Sequence, residues 1–164
     1  MGRVCTPNEL TKALTAERDQ GLQIGVTNGC FDLMHVGHLR YLQAAREETD
    51  RLVVLVNTDA SVHRLKGPTR PILPEDQRAE LLAGLACVDY VCLFDEPTPV
   101  TMLQAIHPDV YIKGGDYTEA TLPEAPALKA MGTAIRFVPF IEGQSTTGLI
   151  ARIQSLADSA PTCG

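Results

Sequence analysis

The 164-residue chain is 45% hydrophobic and 21% charged, the balance of one globular domain with a true core. Its formal net charge of −6 excludes a general nucleic-acid binder, which presents a basic surface. No run approaches the ~20 apolar residues of a membrane span, and no apolar signal core opens the chain. A cytoplasmic protein with no nucleic-acid or membrane partner is therefore expected.

The five cysteines are odd in number and form no Cys-x-x-Cys pair, so free thiols are expected and a structural zinc site is not.

In chain order, Thr6-Pro7-Asn8-Glu9 reads as a helix start: a capping threonine, a proline at the first helical position and an acid at the third. Leu10, Ala13 and Leu14 follow at helical spacing, and Gly21 closes the segment. A short apolar stretch, 23–27, predicts a first strand. Residues 35–46 predict a helix facing inward with Leu39, Leu42 and Ala45. The unbroken run 51–57 predicts a strand buried on both faces.

The alternation then continues. A helix is predicted over 74–86 with Leu81, Leu82 and Leu85 inward, a strand over 90–94 and a helix over 99–106. A strand over 110–113, a helix over 122–131, a strand over 134–138 and a helix over 146–156 complete it. The reading gives one domain over 1–156, an N-terminal helix in 1–21 and a core in 22–156, with 157–164 a flexible tail.

Strand and helix in alternation with short connections specify an α/β, doubly wound parallel sheet covered on both faces. Ligands bind such sheets outside the carboxyl ends of the strands, at the switch point of strand order. The loops 28–38, 57–74, 114–121 and 139–147 are therefore the ones to search.

The first of them, Asn28-Gly29-Cys30-Phe31-Asp32-Leu33-Met34-His35-Val36-Gly37-His38, follows a strand and opens a helix. A helix N-terminus offers unpaired N–H groups and partial positive charge to a phosphate. Gly29 permits a tight turn, and Gly37 lets a phosphate approach the backbone. His35 and His38, three apart, point the same way on a helical turn and offer donors to phosphoryl oxygens. The competing reading is a cap plus a solvated histidine. A zinc site from the pair has no third ligand nearby in sequence except Asp32.

Gly29 to His38 resembles the first signature of the cytidylyltransferase-like nucleotidyltransferase superfamily. Gly143-Gln144-Ser145-Thr146-Thr147-Gly148-Leu149-Ile150 resembles its second signature. Leu65-Lys66-Gly67-Pro68-Thr69-Arg70-Pro71 and Lys113-Gly114-Gly115-Asp116-Tyr117 are most similar to the ADP-heptose synthase family within it. The resemblance covers roughly residues 22–154 and implies a Rossmann-like nucleotidyltransferase fold.

The resemblance also implies roles. His35 and His38 contact the nucleotide phosphates, and Lys66 reaches the α-phosphate. Asn28, Gly29, Cys30, Phe31, Asp32, Gly37 and Arg78 belong to the nucleotide site, with Gly143, Ser145, Thr146 and Thr147 at the second helix start. Ser145 and Thr146 read equally as a simple N-cap. Lys113, Gly114 and Asp116 help hold the nucleoside. Asp116 and Tyr117 contact base, ribose or sugar, which the sequence does not separate. Asp59 and Arg70 are placed on the substrate side. Asp32 and Asp59 are candidates for placing Mg²⁺ or a substrate hydroxyl, and Asp59 reads alternatively as a helix start.

Independently of resemblance, Arg64, Lys66, Arg70, Arg78 and Lys113 lie in or beside the post-strand loops of an acidic chain. Cations concentrated there attract and orient a triphosphate. No Gly-x-Gly-x-x-Gly, Gly-x-x-x-x-Gly-Lys or Gly-x-Ser-x-Gly motif occurs, so a dinucleotide fingerprint, a P-loop and a hydrolase elbow are not supported.

The expected reaction transfers AMP from ATP to a sugar 1-phosphate, heptose 1-phosphate by resemblance, and releases pyrophosphate. Mg²⁺ is expected on the nucleotide, with no direct protein ligand. A CTP-dependent enzyme for glycerol phosphate or another polyol phosphate is the first alternative. Relatives of that kind often carry an arginine shortly before the second-signature Glu-Gly, whereas Phe140-Ile141 precede Glu142-Gly143 here. A non-catalytic nucleotide sensor is the alternative of another class. The resemblance further implies a homodimer. Because only a short helix precedes the first strand, a separate sugar kinase is expected to supply the acceptor.

Overall fold

A computed structural model describes residues 1–115, 117–139 and 145–158. The sequence readings on Asp116, Phe140, Ile141, Glu142, Gly143, Gln144 and the last six residues lie outside them.

The elements are β1 (Arg3–Val4), α1 (Pro7–Arg18), β2 (Ile24–Gly29), α2 (Val36–Glu47), β3 (Arg51–Asn57), α3 (Asp59–Lys66) and α4 (Glu75–Ala83). They continue as β4 (Tyr90–Phe94), α5 (Val100–Ile106), β5 (Val110–Gly114), α6 (Ala125–Met131), β6 (Ala134–Val138) and α7 (Thr146–Asp158). The strands form one parallel sheet in the order β1-β4-β3-β2-β5-β6. This is the expected doubly wound, Rossmann-like α/β fold. The chain winds outward from β2 through β3 to β4, then returns to lay β5 on the other side of β2. The switch point therefore falls between β2 and β5.

The β3 run Leu52-Val53-Val54-Leu55-Val56 is fully buried because its strand lies inside the sheet with helices on both faces. Its side chains alternate between two cores. Val53 and Leu55 pack with Leu10 and Leu14 of α1, Leu103 and Ile106 of α5 and Leu128 of α6. Leu52, Val54 and Val56 pack with Leu42 and Ala45 of α2 and with Ala79 and Leu82 of α4.

The sheet's amino edge repeats one device. Asp50, Asp89 and Asp109 each precede a strand and accept from the amides of Gln23, Leu52 and Ile24 at 2.9, 2.8 and 2.8 Å. These bonds satisfy main-chain donors where the ladder begins.

Thr6 caps α1 in the expected capping box with Glu9. Other expectations need correction. Leu39 (36% exposed) and Leu81 (48%) face solvent, leaving Leu42, Ala45 and Leu82 as the inward positions. The stretch 57–74 is not all loop: it contains α3, capped by Thr58, whose hydroxyl accepts from the Ser61 amide at 3.2 Å. Helices α4 and α6 begin later than expected, at Glu75 and Ala125, and α7 runs on to Asp158.

Candidate active site

Beyond Gly29 the chain turns sharply, with positive φ at Phe31 (48°) and Leu33 (46°), an uncommon conformation for side-chain-bearing residues. Asp32 holds the turn. Its buried carboxylate accepts from Arg70 Nε at 2.7 Å and from the amides of Ile72 at 2.8 Å and Leu73 at 3.0 Å. Burial raises the Asp32 carboxyl, but those three donors outweigh it and hold the group below its ordinary range. The Asp32 carbonyl accepts from Thr146 Oγ1 at 2.8 Å, which ties the start of α7 to the same turn. With its carboxylate so engaged, Asp32 is a fastener between loops, which corrects its candidacy as a Mg²⁺ or hydroxyl ligand.

The histidines sit where the turn enters α2. His35 is the N-cap, and its Nδ1 accepts from the Gly37 amide at 3.1 Å. His38 Nδ1 accepts from the His35 amide at 3.3 Å. The imidazoles lie tilted at 34° with centroids 4.0 Å apart, and Phe31 packs against His38 at 5.6 Å. A nitrogen that accepts carries no proton, so in each neutral ring the proton resides on Nε2. Burial lowers both pKa values, that of His38 to about 4 with the His35 charge contributing. Capping and phosphate donation are thus compatible, because they use different nitrogens of the same rings.

Lys113, at the end of β5, reaches across to β2. Its Nζ donates to Asn28 Oδ1 at 2.9 Å and to Tyr111 OH at 3.4 Å, and it lies 5.3 Å from the Tyr117 ring centroid. Burial lowers its pKa, opposed by the charges of Glu124 and Cys30. Gly114 is required by a protein contact: a Cβ there would lie 2.9 Å from the ring of Tyr41. Tyr41 is anchored between Thr27 Oγ1 at 2.6 Å and the Ile112 carbonyl at 3.0 Å. The freedom expected of paired glycines therefore serves Tyr41 at Gly114 and a φ of 99° at Gly115.

These groups line a two-lobed crevice at the carboxyl edge of the sheet. The smaller lobe, about 170 Å³, lies at the switch point and is walled by His35, Gly37, His38, Tyr41, Lys113 and Gly114. The larger, about 520 Å³, is walled by Lys66, Arg70, Tyr117, Thr146 and Thr147 together with Asp32 and His38. Asn28, Gly29, Cys30, Phe31, His38 and Lys113 border both lobes. Burial raises the Cys30 thiol, partly offset by the charges of Lys66, Arg78 and Arg70. Sequence reasoning gave no site role to Tyr41, Asn57, Leu65, Pro97, Thr98, Pro123, Glu124 or Pro139, which complete the walls. Apart from Leu65 no local motif marks them, because they come from α2, the end of β3 and separate connections between later elements.

Three expected ligands stand apart. Arg78 is fully buried, its guanidinium donating to the carbonyls of Leu73 and Cys30 at 3.0 and 2.6 Å and to Asp59 at 2.7 Å. It braces the signature turn against α3 and α4, and with Asp59 as its partner neither lines the crevice. Both nucleotide contact by Arg78 and substrate contact by Asp59 are corrected accordingly. Ser145 caps α7, its Oγ accepting from the Gly148 amide at 3.0 Å, and it too is absent from the walls. Arg64 pairs instead with Asp95 at 3.0 Å on the exposed side of α3.

Among the described residues no cluster of three or more His, Cys, Asp or Glu side chains is placed to hold a metal. The described cysteines Cys5, Cys30, Cys87 and Cys92 are free thiols. No described helix is long and apolar enough to cross a membrane.

Comparison with known proteins gives concordant results. A family model described as cytidylyltransferase-like matches residues 26–155. The chain is 47% identical over 144 residues to the bifunctional protein HldE of Trichlorobacter lovleyi, covering 88% of this chain and 29% of that protein. It is 48% identical over 156 residues to the HldE of Alkalilimnicola ehrlichii, covering 95% and 33%. The chain thus spans about a third of the length of the curated relatives it matches. Among solved structures, the lipopolysaccharide core biosynthesis protein of Thermoplasma volcanium superposes with a TM-score of 0.62 at 28% identity, covering 76% of this chain and all of that one.

Proposed function

The chain belongs to the cytidylyltransferase-like family of nucleotidyltransferases, and from that premise we propose that it transfers AMP from ATP to heptose 1-phosphate, releasing pyrophosphate and forming an ADP-sugar. The observation that carries this reading is the histidine pair at the switch point, with each Nδ1 engaged as a cap and both rings lining the smaller lobe, where their Nε2–H groups are available as donors.

In the proposed reaction an oxygen of the sugar phosphate attacks the α-phosphorus of ATP. The bond from that phosphorus to the bridging oxygen breaks, and pyrophosphate carries the electron pair away. A phosphate monoester is already a nucleophile at neutral pH, so the chain needs no strong base. Its contribution is alignment and donors aimed at developing charge: the two Nε2–H groups, Lys66 and Lys113, and Thr146 and Thr147 at the start of α7.

Mg²⁺ held by the triphosphate would neutralise charge on the leaving pyrophosphate. The residues fit a metal carried by the nucleotide, since Asp32 and Asp59 already bind arginines. The reading further takes the enzyme as cytoplasmic and the sugar 1-phosphate as the product of a kinase. It takes the assembly as a homodimer, favoured by the exposed apolar side chains Leu149, Ile153 and Leu156 of α7.

The test is pyrophosphate release with Mg²⁺, pairing ATP or CTP with heptose 1-phosphate or glycerol 3-phosphate. Release confined to ATP with heptose 1-phosphate supports the proposal. Release with CTP and the polyol phosphate overturns the substrates and keeps the chemistry, and nucleotide binding without release in any pairing identifies a sensor.

A further inference from the structure

We infer that Glu124 accepts a hydrogen bond from a hydroxyl of the bound acceptor, and thereby sets the preference of the larger lobe for a polyhydroxylated substrate. The inference rests on the nucleotidyl-transfer reading of the same crevice and names a specificity residue within it.

Glu124 lines the larger lobe beside Lys66, Arg70 and Tyr117, yet the residue is only 4% exposed. Its Oε2 is buried with no hydrogen-bond partner among the described residues. Local structure does not account for it, because Glu124 precedes α6 without making a side-chain cap. The nearby ammonium does not account for it either: Lys113 donates to Asn28 and Tyr111. The carboxylate is nonetheless close enough to act on both groups, holding the Lys113 pKa up against burial and pushing that of Tyr111 further up.

Buried polar groups are hydrogen-bonded as a rule, and an orphan at a site wall points to a partner supplied by a ligand. An ionised carboxylate is acceptor-only, so that partner is a donor. Phosphate oxygens are the wrong chemistry, being anionic acceptors themselves. A hydroxyl is the right one.

Two hydroxyl sources enter the site, the acceptor and the ribose of the nucleotide. The placement favours the acceptor. Glu124 borders only the larger lobe, whereas His35 and Gly37 border only the smaller. Arg70, placed on the substrate side, stands in the same lobe as Glu124, which leaves the acceptor's hydroxyl-bearing part to the wall that holds Glu124.

The test compares wild type with Glu124→Gln in steady-state pyrophosphate release, varying ATP and the sugar 1-phosphate separately. A series of monodeoxy sugar 1-phosphates accompanies it. The expected result is a rise of roughly 10–100-fold in the acceptor KM with the ATP KM within about twofold. One deoxy analogue should be poor for wild type and lose nothing further in the variant, the non-additivity of two changes at one contact. A rise in the ATP KM alone, removed with a deoxyribose nucleotide, would assign the contact to the ribose and overturn the inference. So would a change confined to the Mg²⁺ requirement, or equal loss with every analogue. If Glu124→Gln does not fold, a flat deoxy series on wild type overturns it by itself. Absence of turnover in wild type sinks the reaction, and calorimetric binding of the sugar 1-phosphates to both proteins then decides Glu124: weaker binding to E124Q supports it, equal or absent binding overturns it.

Discussion

The main-chain amide of His35 donates to Nδ1 of His38 at 3.3 Å, while His35 itself caps the helix through its own Nδ1. Each ring thus has a structural nitrogen and a chemical one, and two substitutions separate them. Asparagine places an acceptor near Nδ1, and glutamine places an N–H near Nε2. His35→Asn should keep the melting temperature within about 2 °C and lose roughly 10²–10³-fold in kcat, the cost of one preorganised donor. His35→Gln should keep more of the rate while losing about 1 kcal/mol of cap, a fall of roughly 2–4 °C. Equal rate losses in both variants would remove the division of labour.

The same burial has a pH signature. His38 is lowered to about 4 by desolvation and by the neighbouring His35, against an unfolded value of about 6.5. A histidine depressed on folding favours the native state while neutral. That contribution is complete above about pH 6.5 and fades as pH falls toward 4. Melting temperature should therefore drop over that window. Histidine ring carbons followed by NMR in the free protein should show His38 titrating near the bottom of it. A His38 midpoint near 6.5 would mean the ring is solvated and the cap geometry wrong.

Arg78 joins three chain segments, through Cys30, Asp59 and Leu73, from a fully buried position. Truncation to Arg78→Ala strands two carbonyls and a carboxylate, and should cost roughly 3 kcal/mol in urea unfolding. Arg78→Lys should recover little, since an ammonium cannot match three directions of a planar fork. Were Arg78 a nucleotide ligand, the variant would keep its stability and lose ATP affinity, so the two readings part on the unfolding curve.

The elements legible in the sequence were those whose pattern is local. The β3 run Leu52–Val56 announces a strand covered on both faces, and Thr6 with Glu9 announces the start of α1. Periodicity gives the axis of a helix face but not its width, which is why Leu39 and Leu81 read as inward and lie in solvent. Helix α3 escaped because, of its hydrophobic residues, Val62 alone is fully buried. Strand β1 is two exposed residues whose pairing with β4 spans most of the sheet's chain length. In the site, His35, His38 and Lys66 were legible because a motif marks them. The bracing of Arg78 and the orphaned Glu124 were not, since each depends on loops that meet only in the folded chain.

Lys66 offers the cleanest separation of chemistry from stability. It is exposed at the last turn of α3, it lines the larger lobe, and its charge is felt at Cys30 on the signature turn. An exposed lysine contributes little to folding, so Lys66→Ala should unfold within about 0.5 kcal/mol of wild type. If its ammonium stabilises charge on the phosphates during transfer, kcat should fall roughly 10²-fold or more. Lys66→Arg should restore charge without the compact reach of an ammonium and recover only part of that loss. Raising the salt concentration should weaken triphosphate binding to wild type more than to Lys66→Ala, because screening acts on a charge the variant lacks. Unchanged kcat in Lys66→Ala, with the same salt dependence as wild type, would place this lysine in the solvated rim and leave the histidines and Lys113 as the cationic and donor groups of the reaction.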